Sequence, residues 1–281
     1  MKKIAWVTDS TAFLDEEMVN HPDVYQVPMT IILDEEEFVD GVDLEPAELY
    51  SRLKSLDTPP KTSQPSIGAF RELYDRLGEE YETIISILVS GKLSGTVESS
   101  RQAAQISNHN VITIDSKILS YPLTALLKRG IELSESGKSA DDIMKVLESL
   151  RDATKTYVLI GSLEQLHRSG RMTAAKFYLG SMLNIKPIIE ITEGVLEMID
   201  KARSEKKAKG KISSLLKASH DKQRVKEGWI LYGLNKEAAD QWQRELEEEF
   251  PEILFHSYPL AAVVGVHAGE QTLGLSWNQM L

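Results

Sequence analysis

Residues 86–96 read Ser86-Ile-Leu-Val-Ser-Gly-Lys-Leu-Ser-Gly-Thr96, and the stretch changes character halfway along. It begins inside an apolar, β-branched run over residues 83–89 and ends in a loop of hydroxyls and glycines, followed by a helical pattern over 97–106. An apolar run without polar alternation is what a strand buried on both faces of a parallel sheet requires. Residues 4–7 and 111–114 have the same character. Between them Phe70, Leu73, Tyr74 and Leu77 recur at helical spacing over 67–77, and Ser139 with Asp142 forms a capping box ahead of the stripe Ile143, Val146, Leu147 and Leu150. Alternating strand and helix predicts an α/β fold with a mostly parallel sheet.

The pattern changes after about Asp152. Residues 157–160 read as a strand, 163–167 as a short helix broken at Ser169-Gly170, and 173–183 as a further helix. Residues 186–192 and 195–200 form a hairpin through Glu193-Gly194. A helix then runs through a basic segment, followed by a strand at 228–233, an acidic amphipathic helix at 237–250, and strands at 253–258 and 273–277. The expectation is two α/β domains, 1–152 and 153–281, the second with a mixed sheet whose last strand returns to the interface between them.

Composition narrows the function. The 281 residues are 42% hydrophobic, enough for a core in each domain, and no apolar run approaches the roughly 20 residues that span a bilayer. The absence of cysteine excludes disulfides, thiolate metal sites and cysteine nucleophiles, and suits a reducing cytoplasm. A net charge of -11 opposes nucleic-acid binding and broad attraction to anionic membranes. The exception is Lys201-Ala-Arg-Ser-Glu-Lys-Lys-Ala-Lys-Gly-Lys211, six bases against one acid: a solvated helix face, or a local docking patch for an acidic partner, a phosphate or a membrane surface.

Chemistry gathers where strands end. Thr8-Asp-Ser-Thr11, the loop from Ser90 to Thr96, and Asp115-Ser-Lys117 each follow a predicted strand, so they should line one carboxyl edge of the sheet. Thr62-Ser-Gln-Pro-Ser66 precedes a helix, where free N–H groups favour anionic oxygen. The loop at 90–96 lacks the order of a P-loop, a nucleophile elbow or a dinucleotide fingerprint. What remains is a pair of glycines with the hydroxyls of Ser94 and Thr96, which suits a carboxylate held by neutral donors; either hydroxyl could instead cap the following helix. Of six histidines His267 alone lies in a glycine-rich context, and no pair has zinc spacing. It could orient a ligand-binding serine or act as its general base.

These segments, with Ser169-Gly-Arg-Met172, Ile185-Lys-Pro-Ile188 and His267-Ala-Gly-Glu-Gln-Thr-Leu-Gly274, occur in the order and approximate spacing of DegV-family proteins, and the chain resembles that family from end to end. Members resemble the fatty-acid-binding subunits of bacterial fatty-acid kinase. The resemblance implies two α/β domains with a long-chain fatty acid between them, its tail mainly in the second domain. It implies that Thr62, Ser94 and the backbone near Gly95 hold the carboxylate, with His267 supporting Ser94, and that Arg171 and Arg203 engage a kinase or the head group. It further implies a carrier without catalysis or cofactor of its own, located in the cytoplasm and meeting a kinase and, transiently, a membrane surface. Two positions depart from the family pattern: Glu270-Gln271 replaces a usual Pro-Gly, and Tyr121-Pro122 stands where glycines are usual.

For the tail, Phe177, Met182, Leu183 and Ile188 offer apolar bulk suited to a pocket lining, with ordinary core as the competing fate. Two other functions fit the residue types. Ser94 and His267, with Asp9 or Asp115, could form a serine hydrolase or acyltransferase; a parallel sheet by itself would also suit a nucleotide-binding regulator.

Overall fold

The computed structural model describes residues 2–44, 46–53, 55–56, 58–172 and 185–280. The helix expected over 173–183, and with it Phe177, Met182 and Leu183, lies outside the described residues.

Strands β1 (Lys2–Asp9), β2 (Val24–Val27), β6 (Tyr81–Leu88) and β7 (Val111–Asp115) form a parallel sheet in the order β2-β1-β6-β7. Period-two alternation sorts β6 onto two cores. Ile85 and Ile87 pack among residues of α5 (Tyr121–Glu135) and α6 (Ala140–Ala153), whereas Ile84 and Leu88 pack among those of α3 (Ile67–Gly78) and α4 (Thr96–Ile106). The apolar run is therefore unbroken because neither face meets water. Ser86, within the run, is buried against the hydroxyl of Tyr74 at 2.7 Å. The two Ser139–Asp142 hydrogen bonds of the predicted capping box open α6. Pro122 stands in the first turn of α5, so the Tyr121-Pro122 departure is a helix start.

A small antiparallel sheet, not foreseen from the sequence, joins β3 (Thr30–Leu33), β4 (Glu36–Val39) and β5 (Lys61–Ser63) in the order β4-β3-β5. The helix α2 (Pro46–Leu53) accompanies it, and α1 (Glu16–Val19) is a single turn after β1. Met29, Ile31, Leu33 and Leu49 of this region share a core with Ala262, Val263 and Val266 of α10 (Ala262–Ala268). A helix from the end of the chain thus packs on a sheet from its beginning.

The second half builds a mixed sheet from β8 (Thr154–Leu159), β9 (Lys186–Thr192), β10 (Val195–Ala202), β11 (Glu227–Tyr232), β12 (Leu254–Pro259) and β13 (Leu273–Asn278), in the order β10-β9-β8-β13-β11-β12. One face, with Tyr157, Leu159, Ile188, Ile230, Leu275 and Trp277, is buried with residues of α8 (Glu205–Lys222) and α9 (Lys236–Glu249). Ile189, Ile191 and Leu196 pack instead with Leu166 of α7 (Leu163–Arg168) and with Leu93 and Leu119 from the first half. Alternation along β9 therefore corrects the reading of Ile188 as tail lining: it points into the core beneath α8, and Ile191 faces the other way.

The β9–β10 turn ties the halves together. Ser90 Oγ donates to the Gly194 carbonyl at 2.7 Å, and Lys117 pairs with Glu193 at 2.6 Å. Among the described residues no helix is long and apolar enough to cross a membrane.

Candidate functional site

The three strand-end loops meet as predicted. Asp9 is fully buried and accepts from Thr11 N, Thr11 Oγ1 and Val89 N; Asp115 accepts from Gly91 N and Lys117 N. The loops so fixed close one side of an apolar cavity. Its walls are mostly aliphatic and come from both halves: Val89, Leu93 and Leu119 from the first; Val158, Ile160, Ile191, Leu196, Leu231, Leu260 and Val263 from the second.

Polar groups cluster in this wall. Thr62, Ser94, Arg171 and His267 all line it. Thr62 is carried by β5, Ser94 by the loop before α4, and His267 by the last turn of α10. The hydrogen bond of His267 is to Thr62, Nε2 to Oγ1 at 2.8 Å, whereas Ser94 Oγ lies 2.8 Å from Thr96 Oγ1. His267 therefore supports the threonine, not the serine. Gly95 is the N-cap of α4, and no side chain caps that helix, so capping does not account for Ser94 or Thr96. A Cβ on Gly95 would stand 2.9 Å from the Gln64 amide nitrogen, so the loops bearing Ser94 and Thr62 pass in close contact.

Electrostatics set the state of the imidazole. Burial, reinforced by the neighbouring Arg171 charge, pushes His267 down to about 3, so the ring is neutral near pH 7. Arg171 is half-buried and anchored by its own hydrogen bond from Nη1 to the Ser169 carbonyl at 2.8 Å. Its guanidinium thus shares the wall with the hydroxyls of Thr62 and Ser94. Arg203 is elsewhere, exposed in a basic surface depression with Lys201, Lys207 and Lys211.

His267 also borders a second, polar cleft, lined with it by Tyr50, Gln165, Glu270 and Gln271. The Glu270-Gln271 departure faces this cleft and is absent from the apolar wall.

A hydrolase triad is not assembled. Ser94 and His267 share no hydrogen bond, and the carboxylates of Asp9 and Asp115 are committed to donors within and between the strand-end loops. Among the described residues no group of three or more His, Asp or Glu could hold a metal. Sequence reasoning missed α10, a seven-residue helix with a glycine in it, and the lining residues Val158 and Leu231, whose strands were visible but whose cavity-facing side was not, together with Leu260 just after β12.

Parallel and mixed sheets, with an apolar cavity lined from both halves of the chain and hydroxyl, imidazole and guanidinium groups in its wall, define an α/β protein. The chain belongs to the DegV family: residues 3–279 match the family model described as an uncharacterised protein of that family. It is 30% identical over 279 residues to a DegV domain-containing protein of Listeria innocua, covering 99% of each chain. Its fold is that of a Thermus thermophilus DegV family protein whose structure is described as fatty acid binding, with a TM-score of 0.93, 30% identity and coverage of 99% and 100% of the two chains. DegV of Bacillus subtilis, described as a fatty acid binding protein, gives a TM-score of 0.90 at 32% identity over 99% and 100%.

Proposed function

We propose that this protein binds a long-chain fatty acid, with its carboxylate at Thr62, Ser94 and the backbone near Gly95, and its tail in the aliphatic cavity. The observation that carries the reading is the cavity itself: apolar along most of its wall, with Thr62, Ser94, Arg171 and His267 together among its polar lining. Relatives described as fatty acid binding share the fold over nearly the whole chain. In this reading residues 1–152 supply most of the head-group loops and 153–281 most of the tail pocket.

Energetics favour that division of labour. Burying an acyl chain returns about 0.8 kcal/mol per CH₂, so the tail supplies most of the affinity. Hydrogen bonds to a charged group add about 1.5–3 kcal/mol each and fix orientation. A neutral His267 that donates Nε2–H to Thr62 Oγ1 leaves the threonine's own proton for the carboxylate. Arg171 then balances the charge from the same wall.

The wider role follows from the resemblance: a cytoplasmic carrier, without turnover or cofactor of its own, that presents the carboxylate to a separate kinase for acyl-phosphate formation. The exposed bases around Arg203 supply a local docking surface for that kinase or, transiently, for a membrane. The test is native purification, solvent extraction and mass spectrometry, alongside Ser94→Ala and Thr62→Ala. Near-stoichiometric fatty acid, depleted in both variants, supports the carrier. Protein that stays empty when offered fatty acids, or ester hydrolysis abolished by Ser94→Ala, overturns it.

A further inference from the structure

On the face of the mixed sheet toward the cavity, residues from β8, β13 and β11 line up in cross-strand rows. Val158 pairs with Gly274, which pairs with Leu231; Thr156 pairs with Ser276, which pairs with Trp229. Val158, Leu231 and Thr156 line the cavity. At the other end of β8, Gly161 N donates to Thr272 Oγ1 and that hydroxyl donates to the Ala268 carbonyl, next to His267. The strand therefore leads away from the polar groups: Ile160 first, then the Val158 row, then the Thr156 row.

Gly274 occupies the middle of the second row. Its neighbours Leu273 and Leu275 point into the opposite core, so a side chain at 274 would project toward the cavity. An added Cβ would stand 3.2 Å from the Tyr157 carbonyl oxygen, 3.5 Å from Val158 Cγ2 and 3.6 Å from Leu231 Cβ, between the two lining side chains. The row beyond is floored by a hydroxyl pair, Thr156 Oγ1 to Ser276 Oγ at 2.8 Å, and by the buried Trp229 packed edge-on against Tyr121.

We propose that Gly274 sets the length of acyl chain the protein accepts, by leaving open the passage from the Val158–Leu231 level to the Thr156–Ser276 floor. The proposal rests on the fatty-acid reading above. Successive rows are two residues, about 7 Å, apart along a strand. An extended backbone advances about 3.5 Å over three bonds, or about 1.2 Å per bond, so the last row corresponds to about six methylenes. Branched bulk at 274 removes that depth.

The test is calorimetric titration of delipidated protein with decanoate, tetradecanoate and octadecanoate, for the parent chain, Gly274→Ala, Gly274→Val and Leu231→Phe. Gly274→Ala places its methyl at ordinary contact distance from both side chains but close to the Tyr157 carbonyl, and Leu231→Phe therefore fills the same level with the sequence of β13 unchanged. Far-ultraviolet circular dichroism identifies the folded variants. The expected result is a fall of about 100-fold or more in octadecanoate affinity relative to decanoate for Gly274→Val and Leu231→Phe, since several methylenes at about 0.8 kcal/mol each lose their site. Gly274→Ala should fall between them and the parent. An unaltered ratio of affinities in folded Leu231→Phe and Gly274→Ala overturns the length gauge and leaves fatty-acid binding standing. Failure of the parent protein to bind any of the three acids overturns both.

Discussion

Nε2 of His267 lies 2.8 Å from Oγ1 of Thr62, although 205 positions separate them in the chain. A helix near the end of the chain is thereby joined to an early strand at the wall of the cavity. If Thr62 binds a carboxylate, Thr62→Val keeps the side-chain shape and removes the donor. Affinity for hexadecanoate should fall about 10-fold or more by calorimetry, the loss expected for one hydrogen bond to a charged group. Equal affinity in the variant would remove Thr62 from the head-group site.

The buried imidazole also makes stability depend on pH. His267 titrates at about 3 in the native protein and near 6.5 in an unfolded chain. Between these values the unfolded chain holds the extra proton, so its contribution is complete above about pH 6.5 and is lost toward pH 3, by about 1.4 kcal/mol per unit. Asp40, which burial raises to about 6, acts in the opposite sense: its native state holds the proton, so that stability fades as pH rises through 6. Urea unfolding of the parent and of His267→Gln at pH 7.5, 5.5 and 4.5 separates the two. Relative to the parent, the variant should become progressively more stable below pH 6.5; parallel curves would contradict a neutral buried His267.

Gly194 is expected to be intolerant of any side chain. Its φ is +82°, and a Cβ would stand 2.5 Å from Ser90 Oγ, whose hydrogen bond to the Gly194 carbonyl joins the two halves. Gly194→Ala should cost about 1–3 kcal/mol in urea unfolding, whereas Glu193→Gln, removing one exposed ion-pair partner of Lys117, should cost under about 1 kcal/mol. Equal costs would show that the turn does not depend on this close approach.

Tyr74 hydroxyl bridges Ser86 at 2.7 Å and Ser100 at 2.6 Å, and Ser100 continues to Thr113 at 2.7 Å. Tyr74→Phe leaves the buried Ser86 hydroxyl without that partner and should destabilise the first sheet by about 1–3 kcal/mol in the same assay. A neutral result would indicate that Ser86 repairs its hydrogen bond locally.

The central strands β1 and β6 were legible because most of their length is buried on both faces, so the apolar run survives as a run, whereas the partly exposed edge strand β2 was not foreseen. The small sheet was harder to see. Its strands are short, and the positive-φ pair Asp34 and Glu35 makes a β3–β4 turn without the glycine that usually announces one. The helix α10 escaped because seven residues with a glycine at 265 carry little periodicity, and its buried face is defined by elements distant in sequence, α2, β3, β5 and α7, that pack against it. Ile188 was misplaced for a related reason: Ile188, Ile189 and Ile191 are alike in sequence, and only the helices on one side of β9 distinguish their faces.

The sequence by itself determined the alternation of strand and helix, the loops in which hydroxyls gather, the capping box at Ser139 and the absence of cysteine chemistry. These are local properties, written in periodicity and residue type. Only the tertiary structure decided that His267 meets Thr62, that Arg171 joins the same wall while Arg203 stays on the surface, and that Gly274 stands between Val158 and Leu231. Each of those relationships joins segments far apart along the chain. They arise from the pairing of distant strands within a sheet and the docking of a late helix on an early one, and local sequence exerts no force that specifies which distant side chain will be met.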